Sequence, residues 1–587
     1  MSNQNKRVYV GKERSNDEIG GGRRPGSLSP PSSKKVKKDQ DDTESLERMT
    51  RQNYVNTIGV EIVTSDDDLD EDPFDDPDSN NCTLSTDDVF KRIGLSQNVR
   101  DFYKNERNIS NLYDWQKKCL TDPGLLNGNN CIISLKTGGG KTLLAELLML
   151  RESIVKNRSC LIILPYKAIV REIIINMSAF EELEIFTEEY TCSKGRIPPV
   201  KRTRGQNIYV ATIEKATILI DSLIRENRLK EEIGLFVVDG LHMIGEEGRG
   251  AALEKLIFKY LMLGSGQIIG MSSTLGPVGD MRKFLKARLF SSDFGPFKVV
   301  ERVKISNNLY NVNDEGDLIP YSKMEIYDKN RNVDSDGIFS LVKDIAPQKS
   351  VLIFCPSRND CKYVCLMVAT HLSGLSGIPD ERRQQVIDLI KNGNGGKIDE
   401  VMEIGIRAGV AYHHAGLTDN ARHCIETAFR EGNLYALCAT TTLSEGVNLP
   451  VQRVIIYQPK VGIDFLEKSR YIQMIGRAGR EGYENEGESI TIVGEEYIEK
   501  FLDMLKSPLK PCQSQMLDKV NLEGFIMDLI YLKLVKNVEE LRDSLLKTLA
   551  GIQDNDECLS LMEGILESLK THKIVKIENG VIQRLYH

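Results

Sequence analysis

The chain has 587 residues, of which 40% are hydrophobic and 28% charged, with 12 cysteines and a formal net charge of −8. That length carries a prior of three to four domains with ample apolar material for buried cores. No apolar run approaches the ~20 residues of a membrane span, and the longest candidate, Cys160 to Val170, is interrupted by Lys167. The first residues, M-S-N-Q-N-K-R, hold no apolar signal region, so neither secretion nor a membrane partner is expected. The cysteines form no C-x-x-C pair and no regular spacing, which fits reduced thiols in cytosol or nucleus.

The negative charge is unevenly spread. Residues 1–80 carry 12 Lys+Arg against 18 Asp+Glu, a balance of −6, which leaves only −2 for the other 507 residues. Residues 1–82, rich in Gly, Ser, Pro, Asn and charge, are expected to be a disordered tail. Within it, Arg23-Arg24, nine residues, then Lys34-Lys35-Val36-Lys37-Lys38 reads as a bipartite nuclear-import signal in preference to a solvated basic run. Asp66 to Asp78 interleaves Leu69 and Phe74 with carboxylates, as a protein-docking segment or a solubilising spacer would.

From Thr86 onward, short β-branched runs alternate with amphipathic helical patterns. The first set of expected strands is Cys131–Leu135, Leu161–Leu164, Ile208–Ala211, Leu235–Val238 and Ile268–Ser272. The second is Val351–Cys355, Val410–Tyr412, Leu434–Ala439, Val454–Tyr457 and Ser489–Val493. Unbroken apolar strands separated by helices predict two α/β domains with parallel sheets covered on both faces, and a boundary between residues 300 and 345. After Pro511 the pattern turns helical and ends in two short runs around Asn579-Gly580, a hairpin signal with a type I′ turn. Helices followed by such a hairpin predict a winged helix.

The strongest local motif is L-K-T-G-G-G-K-T at 135–142, between the strand C-I-I-S-L and the helix T-L-L-A-E-L-L-M-L. Strand, Gly-rich loop and helix in that order make a phosphate loop. Leu135, Lys136, Thr137, Gly138, Gly139 and Gly140 supply backbone around the phosphates, Lys141 reaches them, and the Thr142 hydroxyl is a Mg²⁺ ligand. Leu135 stands where the strict pattern has Gly. The apolar strand G-L-F-V-V-D ends at Asp239, the second candidate Mg²⁺ ligand.

With these and further motifs in order, residues 88–587 resemble the superfamily-2 helicases and, within them, the POLQ-like helicase group. D-W-Q at 114–116 is similar to an adenine-reading element, with Gln116 on the base edge and Trp115 otherwise a core residue. L-P-Y-K-A-I-V-R-E at 164–172 and V-A-T-I-E-K-A at 210–216 resemble elements that hold the nucleic-acid backbone, which implies Pro165, Thr212 and Lys215 as contacts. M-S-S-T-L-G at 271–276 resembles the element coupling hydrolysis to strand contacts. F-C-P-S-R at 354–358 and A-Y-H-H-A-G-L at 411–417 resemble second-domain motifs, and A-T-T-T-L-S-E-G-V-N-L-P at 439–450 the strand-gripping motif, with Glu445 a departure from the usual small residue. His413, His414, Thr440 and Thr441 are the strand contacts these imply. His413 and His414 lack partners at metal-ligand spacing, so a backbone-gripping or structural role is expected of them in place of metal binding. Only Cys160 and Cys192 fall between Lys141 and Asp239, against an iron–sulfur design.

Q-M-I-G-R-A-G-R at 473–480 closes the set: Gln473, Arg477 and Arg480 are implied to reach across the cleft, with the arginines stabilising charge in phosphoryl transfer. The resemblance implies two RecA-like domains at 83–300 and 301–505, a winged helix at 506–587, ATP and Mg²⁺ as cofactors, and a nuclear, monomeric 3′→5′ translocase on single-stranded and forked DNA in DNA repair. An RNA helicase of the same superfamily is the alternative enzyme.

Two departures qualify that expectation. D-G-L-H at 239–242 stands where the family has D-E-x-H, so Asp239 and His242 are present while Gly240 replaces the water-activating Glu. Removing a general base typically costs on the order of 10²–10⁴ in rate, and Glu246 and Glu247 are not expected to reach. A hydrolysis-impaired, ATP-dependent single-strand clamp is therefore the non-motor alternative. The second departure is length: 107 residues follow Arg480, room for a winged helix but not for the family's helical ratchet domain, so weak processivity is expected.

Overall fold

The computed structural model describes residues 84–202, 204–292, 294–295, 298–324, 334, 336–372, 380–443, 449, 451–479 and 486–585. The import signal, the acidic segment 66–78 and the rest of the expected tail, together with Glu445 and Arg480, lie outside the described residues.

The first sheet has seven strands: β1 (Asn130–Leu135), β2 (Ser159–Leu164), β3 (Ile185–Tyr190), β4 (Gln206–Thr212), β5 (Ile233–Asp239), β6 (Gln267–Ser272) and β7 (Ala287–Ser292). Their order across the sheet is β3-β4-β2-β5-β6-β1-β7, and every neighbouring pair is parallel. Strands buried on both faces read as continuous apolar runs, and β2 is buried at all six positions. One face packs under the helices Lys141–Val155 and Lys167–Ser178 and the helices before β1. The other packs under Ile213–Arg225 and Gly250–Leu263.

The second sheet comprises β8 (Lys298–Ile305), β9 (Asn308–Val312), β10 (Leu318–Lys323), β11 (Val351–Phe354), β12 (Val410–His413), β13 (Ala436–Ala439), β14 (Arg453–Tyr457) and β17 (Glu486–Val493). A small hairpin of β15 (Lys460–Val461) and β16 (Asp464–Phe465) leaves it after β14. The sheet order is β10-β9-β8-β17-β14-β11-β13-β12. Its core is parallel, but β8, β9 and β10 form an antiparallel meander on one edge, joined to the core through the parallel pair β8–β17. All ten expected strands are present. The sequence reading missed β3, β7 and the meander, so the second sheet is mixed rather than wholly parallel.

The winged helix has helices Lys519–Tyr531, Val538–Leu545, Leu549–Gln553 and Asn555–Thr571, then the hairpin β18 (Val575–Glu578) and β19 (Val581–Arg584). Asn579 (φ 52°) and Gly580 (φ 78°) give the two left-handed residues a type I′ turn requires. This domain shares one core with the first sheet: Leu522, Phe525 and Ile526 pack among Leu241, Ile257 and Phe258. The Phe258 and Phe525 rings meet edge-on at 5.4 Å.

Buried charge fixes that docking. Glu254, fully buried, accepts from Ser514 Oγ and from the Ala550 N–H at 3.0 Å, where the helix Leu549–Gln553 begins. Lys259, also fully buried, donates to Asp221 at 2.8 Å and to Asp528 of the winged helix at 3.0 Å. Only the ammonium of this pair is fully buried, and its loss leaves Asp221 (19% exposed) and Asp528 (42% exposed) unmatched at less cost than fully buried carboxylates would carry. Lys259→Met is therefore expected to destabilise the protein by about 2–4 kcal/mol, read as a lowered denaturant midpoint. A midpoint unchanged from the native protein would show that the pair holds nothing together.

Candidate nucleotide and nucleic-acid site

Parallel α/β sheets bind ligands beyond the carboxyl ends of their strands, and the chain places its motifs there. β1 ends at Leu135, and the loop to the helix Lys141–Val155 turns through Gly138 (φ 79°) and Gly140 (φ 87°). A side chain at Gly140 would collide with Gln116, whose Nε2 donates to the Gly140 carbonyl at 3.0 Å. Gln116 Oε1 accepts the Tyr113 N–H at 2.9 Å. Its amide is thus committed to the loop and to its own helix start, and each end retains one further hydrogen-bonding site for a base edge. Trp115 is a core residue packed on Phe290.

A cleft of about 640 Å³ opens above this loop, within the range of small-molecule sites. Gln116, Thr137, Gly138, Gly140, Lys141, Thr142, Pro165, Asp239, His242, Gln473 and Arg477 all line it. Leu135, Lys136 and Gly139 belong to the same loop without lining the cleft, and Lys141 Nζ donates to the Leu135 and Lys136 carbonyls at 2.8 and 3.0 Å. Burial lowers the Lys141 ammonium to about 8, helped by Arg477 and opposed by Asp239. Burial raises the Asp239 carboxyl, opposed by Lys141 and the Gly240 N–H. Thr142 and Asp239 are hard oxygen donors in one cleft, a set suited to Mg²⁺.

The two lobes meet at this cleft. Gly476 sits so close to Thr137 that an added Cβ would stand 3.1 Å from the Thr137 Cβ. Gln473 Nε2 donates to His242 Nε2 at 3.1 Å and to Thr274 Oγ1 at 3.0 Å. The Nε2 of His242 therefore accepts, and its Nδ1–H donates to Ser272 Oγ at 2.9 Å. Burial, with the Lys141 charge second, lowers the His242 pKa to about 4, so the imidazole is neutral at pH 7. Ser272 and Thr274 belong to the M-S-S-T-L-G stretch. The chain Ser272–His242–Gln473 thus runs from the first lobe to the second.

At Gly240 the obstacle to a side chain is the backbone, not space. Its φ is +83°, and a Cβ would meet nothing closer than Met243 and Pro165 at 3.5 Å. Glu246 pairs with Arg470 at 3.3 Å and Glu247 is exposed; neither lines the cleft. Besides Asp239, the carboxylates lining it are Glu146 and Glu172, and Glu146 is engaged by Tyr103, Asn176 and Arg107.

Of the expected strand contacts, Pro165 follows β2 at the rim of this cleft, Thr212 ends β4, Lys215 lies in the first turn of the next helix, and Thr440 and Thr441 follow β13. Of the two roles expected for His413 and His414, their surroundings favour the structural one. The His413 imidazole is 4% exposed and its Nε2 bonds Glu426 at 2.8 Å, while His414 stacks on Tyr412 and accepts the Gly416 N–H at 3.2 Å. Both side chains face the interior and shape the loop instead of reaching its surface. A residue the sequence reading passed over is Ile463, 95% exposed at the tip of the β15–β16 hairpin. An isoleucine in a V-G-I-D turn, where a polar residue would suffice, was the available signal.

Two parallel-sheet lobes sharing a phosphate-loop cleft, with a second-lobe Q-x-x-G-R element facing it, define a superfamily-2 helicase core. Family models match along the chain: DEAD/DEAH box helicase over 114–281, helicase conserved C-terminal domain over 397–482, and helix-turn-helix domain over 487–576. The chain is 42% identical over 492 residues to "Helicase POLQ-like" of Caenorhabditis elegans, covering 82% of this chain and 53% of that protein. It is 40% identical over 511 residues to the Homo sapiens protein of the same name, covering 85% and 46%. It is 30% identical over 476 residues to "ATP-dependent DNA helicase Hel308" of Caldivirga maquilingensis, covering 79% and 60%. The chain belongs to the POLQ-like helicases of superfamily 2, and it spans about half the length of the curated POLQ-like relatives it matches.

The Lys141 ammonium at about 8 sets a pH dependence for nucleotide affinity. Bound phosphates would raise that pKa further, so binding is at full strength below pH 8 and weakens as pH climbs from there toward the bound-state value. A fluorescent nucleotide titrated between pH 7 and 10 should bind progressively less tightly, by up to about tenfold per pH unit. A flat profile would show that Lys141 does not contact the phosphates.

Proposed function

We propose that the chain is an ATP-dependent DNA helicase core, with two RecA-like lobes (83–300 and 301–505) as motor and the winged helix (506–587) as accessory domain. It translocates 3′→5′ on single-stranded DNA and opens forked duplex in DNA repair, as a nuclear monomer whose segment 66–78 docks a protein partner. The observation that carries this reading is the hydrogen-bonded chain Ser272–His242–Gln473 across the nucleotide cleft. It lets the occupancy of one cleft alter the relation of two lobes that both present strand ends to a nucleic acid. The name of the archaeal relative, an ATP-dependent DNA helicase, supports DNA as the substrate.

In this reading Gln116 reads adenine, and the backbone from Leu135 to Gly140 cradles the phosphates. Lys141 leaves the Leu135 and Lys136 carbonyls to meet them. Thr142 and Asp239 would hold Mg²⁺, which when bound neutralises charge on the β- and γ-phosphate oxygens. Arg477, with Arg480, approaches the γ-phosphate from the second lobe. Pro165, Thr212, Lys215, Thr440 and Thr441 contact the strand, and His413 and His414 hold their loop in shape. Ile463, apolar at a hairpin tip, acts as a wedge at the duplex junction; such side chains unstack base steps.

Gly240 favours a second reading for this chain, an ATP-dependent single-strand clamp with slow turnover, because that position carries no carboxylate. Strand-stimulated ATP hydrolysis of the native chain beside Gly240→Glu separates the two. The substitution is expected to raise the rate by roughly 10²–10⁴, while costing about 1–2 kcal/mol of stability because the residue must leave or strain a left-handed backbone. Equal, robust rates in both proteins would overturn the importance of Gly240.

Ile463→Gly, made in whichever of those two proteins hydrolyses ATP, should lower the rate of fork opening at least about fivefold, as the loss of an unstacking wedge implies. Strand-stimulated hydrolysis should stay unchanged. Unwinding at the parent rate would remove the wedge from the mechanism.

A further inference from the structure

Between β3 and β4 the chain crosses the outer edge of the first sheet as a strap, residues 191–205. Five of the eleven residues from 194 to 204 are cationic, and no Asp or Glu occurs between Glu189 and Glu214. In a chain of net charge −8 this is a concentrated positive stretch, and the strap is held rather than loosely solvated. Tyr190 Oη donates to the Arg196 carbonyl at 3.1 Å, and Arg228 donates to the Pro199 carbonyl at 2.9 Å. Arg202 lies over the Phe186 ring at 4.0 Å and donates to Asn207 at 2.5 Å. Gly195 is pressed on the Tyr190 ring, where a Cβ would come within 2.4 Å.

These anchors divide the cations. Lys194 is matched by Glu189 at 2.5 Å and Arg202 by Glu188 at 3.2 Å. Arg196, Lys201 and Arg204 are exposed and have no acidic partner among the described residues. The strap also starts beside the strand-contact stretch L-P-Y-K: Lys167 meets the Cys192 thiol and, at 3.6 Å, Asp419 of the second lobe. The strap with its three unmatched cations therefore starts at the interlobe contact Lys167–Asp419 and ends at the rim of the first lobe.

We propose that Arg196, Lys201 and Arg204 hold the phosphate backbone of the single-stranded tail after it leaves the groove between the lobes. This rests on the nucleic-acid reading above and adds a site outside the helicase motifs. A backbone contact is the one this chemistry supports. The strap has no exposed aromatic residue to stack on bases, and no helix or ribbon to enter a duplex groove.

The test is binding of full-length chain to oligo-dT, short (about 10 nucleotides, within a single binding site) and about three times longer, over a range of salt. In Arg196→Glu/Lys201→Glu/Arg204→Glu the short strand should bind within twofold of native. The long strand should lose at least tenfold, and its log–log salt slope should shrink by about 2, as expected for three lost phosphate contacts. The milder Arg196→Gln/Lys201→Gln/Arg204→Gln should move the same way by less, with thermal melting unchanged in both. Equal losses on short and long strands, an unchanged salt slope, or a loss confined to duplex DNA would each overturn the proposal. Failure of the native chain to bind either strand would instead sink the nucleic-acid reading beneath it.

Discussion

One imidazole, kept neutral by burial, sits at the centre of the contact between the two lobes, beside the pairs Gln473–Thr274, Arg470–Glu246 and Lys167–Asp419. His242 can accept from Gln473 only because its Nε2 is unprotonated, and it can donate to Ser272 only because its Nδ1 is protonated. With its pKa lowered to about 4, both conditions hold throughout the physiological range. A charged imidazole would turn its Nε2 into a second donor facing the Gln473 amide and Lys141. The interface thus depends on the low-dielectric setting supplied by the D-G-L-H turn and the strand end β6, and the arrangement of Gly476 on Thr137 follows from the same approach of the lobes.

The winged helix extends this dependence to the far side of the first sheet. Its core is continuous with that of the sheet, and the connecting segment runs under the same turn that carries His242. Cys512 Sγ lies 3.6 Å from the His242 carbonyl, and Gly276 admits the Lys510 carbonyl so closely that a Cβ would stand 2.2 Å away. Glu254 and Lys259, charged groups with no solvent, hold the domain in one register. The segment leading into the accessory domain therefore packs directly on the turns that carry His242 and Gly276. A displacement at M-S-S-T-L-G would press on the connecting segment directly.

What the sequence disclosed follows from burial. Nine of the ten strands read from it lie in the interiors of the sheets, and the tenth, the edge strand β12, is buried at all four positions, so both faces need apolar residues and composition becomes unmistakable. Strand β3 (I-F-T-E-E-Y) has four half-buried positions in a row, and β10 is mostly exposed. Such edge strands carry polar residues because only part of their surface is covered, so they resemble loops. In the site, Lys141, Thr142, Asp239 and Ser272 come together because their segments end or follow parallel strands, while Gln116 and Gln473 reach the same cleft from helices. The choice between the two roles of His413 and His414 was not legible, since adjacency in a motif says nothing about which way a ring turns, and Glu426, thirteen residues on, decides it for His413. The buried pairs at Glu254 and Lys259 join residues more than 250 positions apart, a separation at which no local pattern carries a signal.

Gly240 is more than a missing carboxylate. A glutamate at that position would need a backbone that L-residues enter readily, whereas the observed φ of +83° is nearly free only for glycine. The same residue donates its N–H to the Met271 carbonyl at 2.9 Å, tying the turn to β6, and its N–H also stabilises the Asp239 carboxylate. Substitution and turn conformation therefore form one local solution: the backbone supplies a donor to the carboxylate where the family pattern supplies a base to the water. Asp239, His242 and the interlobe chain keep their positions without the general base. In the proposed reading, the groups that hold nucleotide and those that couple the lobes are separable from those that activate water, because they rest on different atoms of the same short turn.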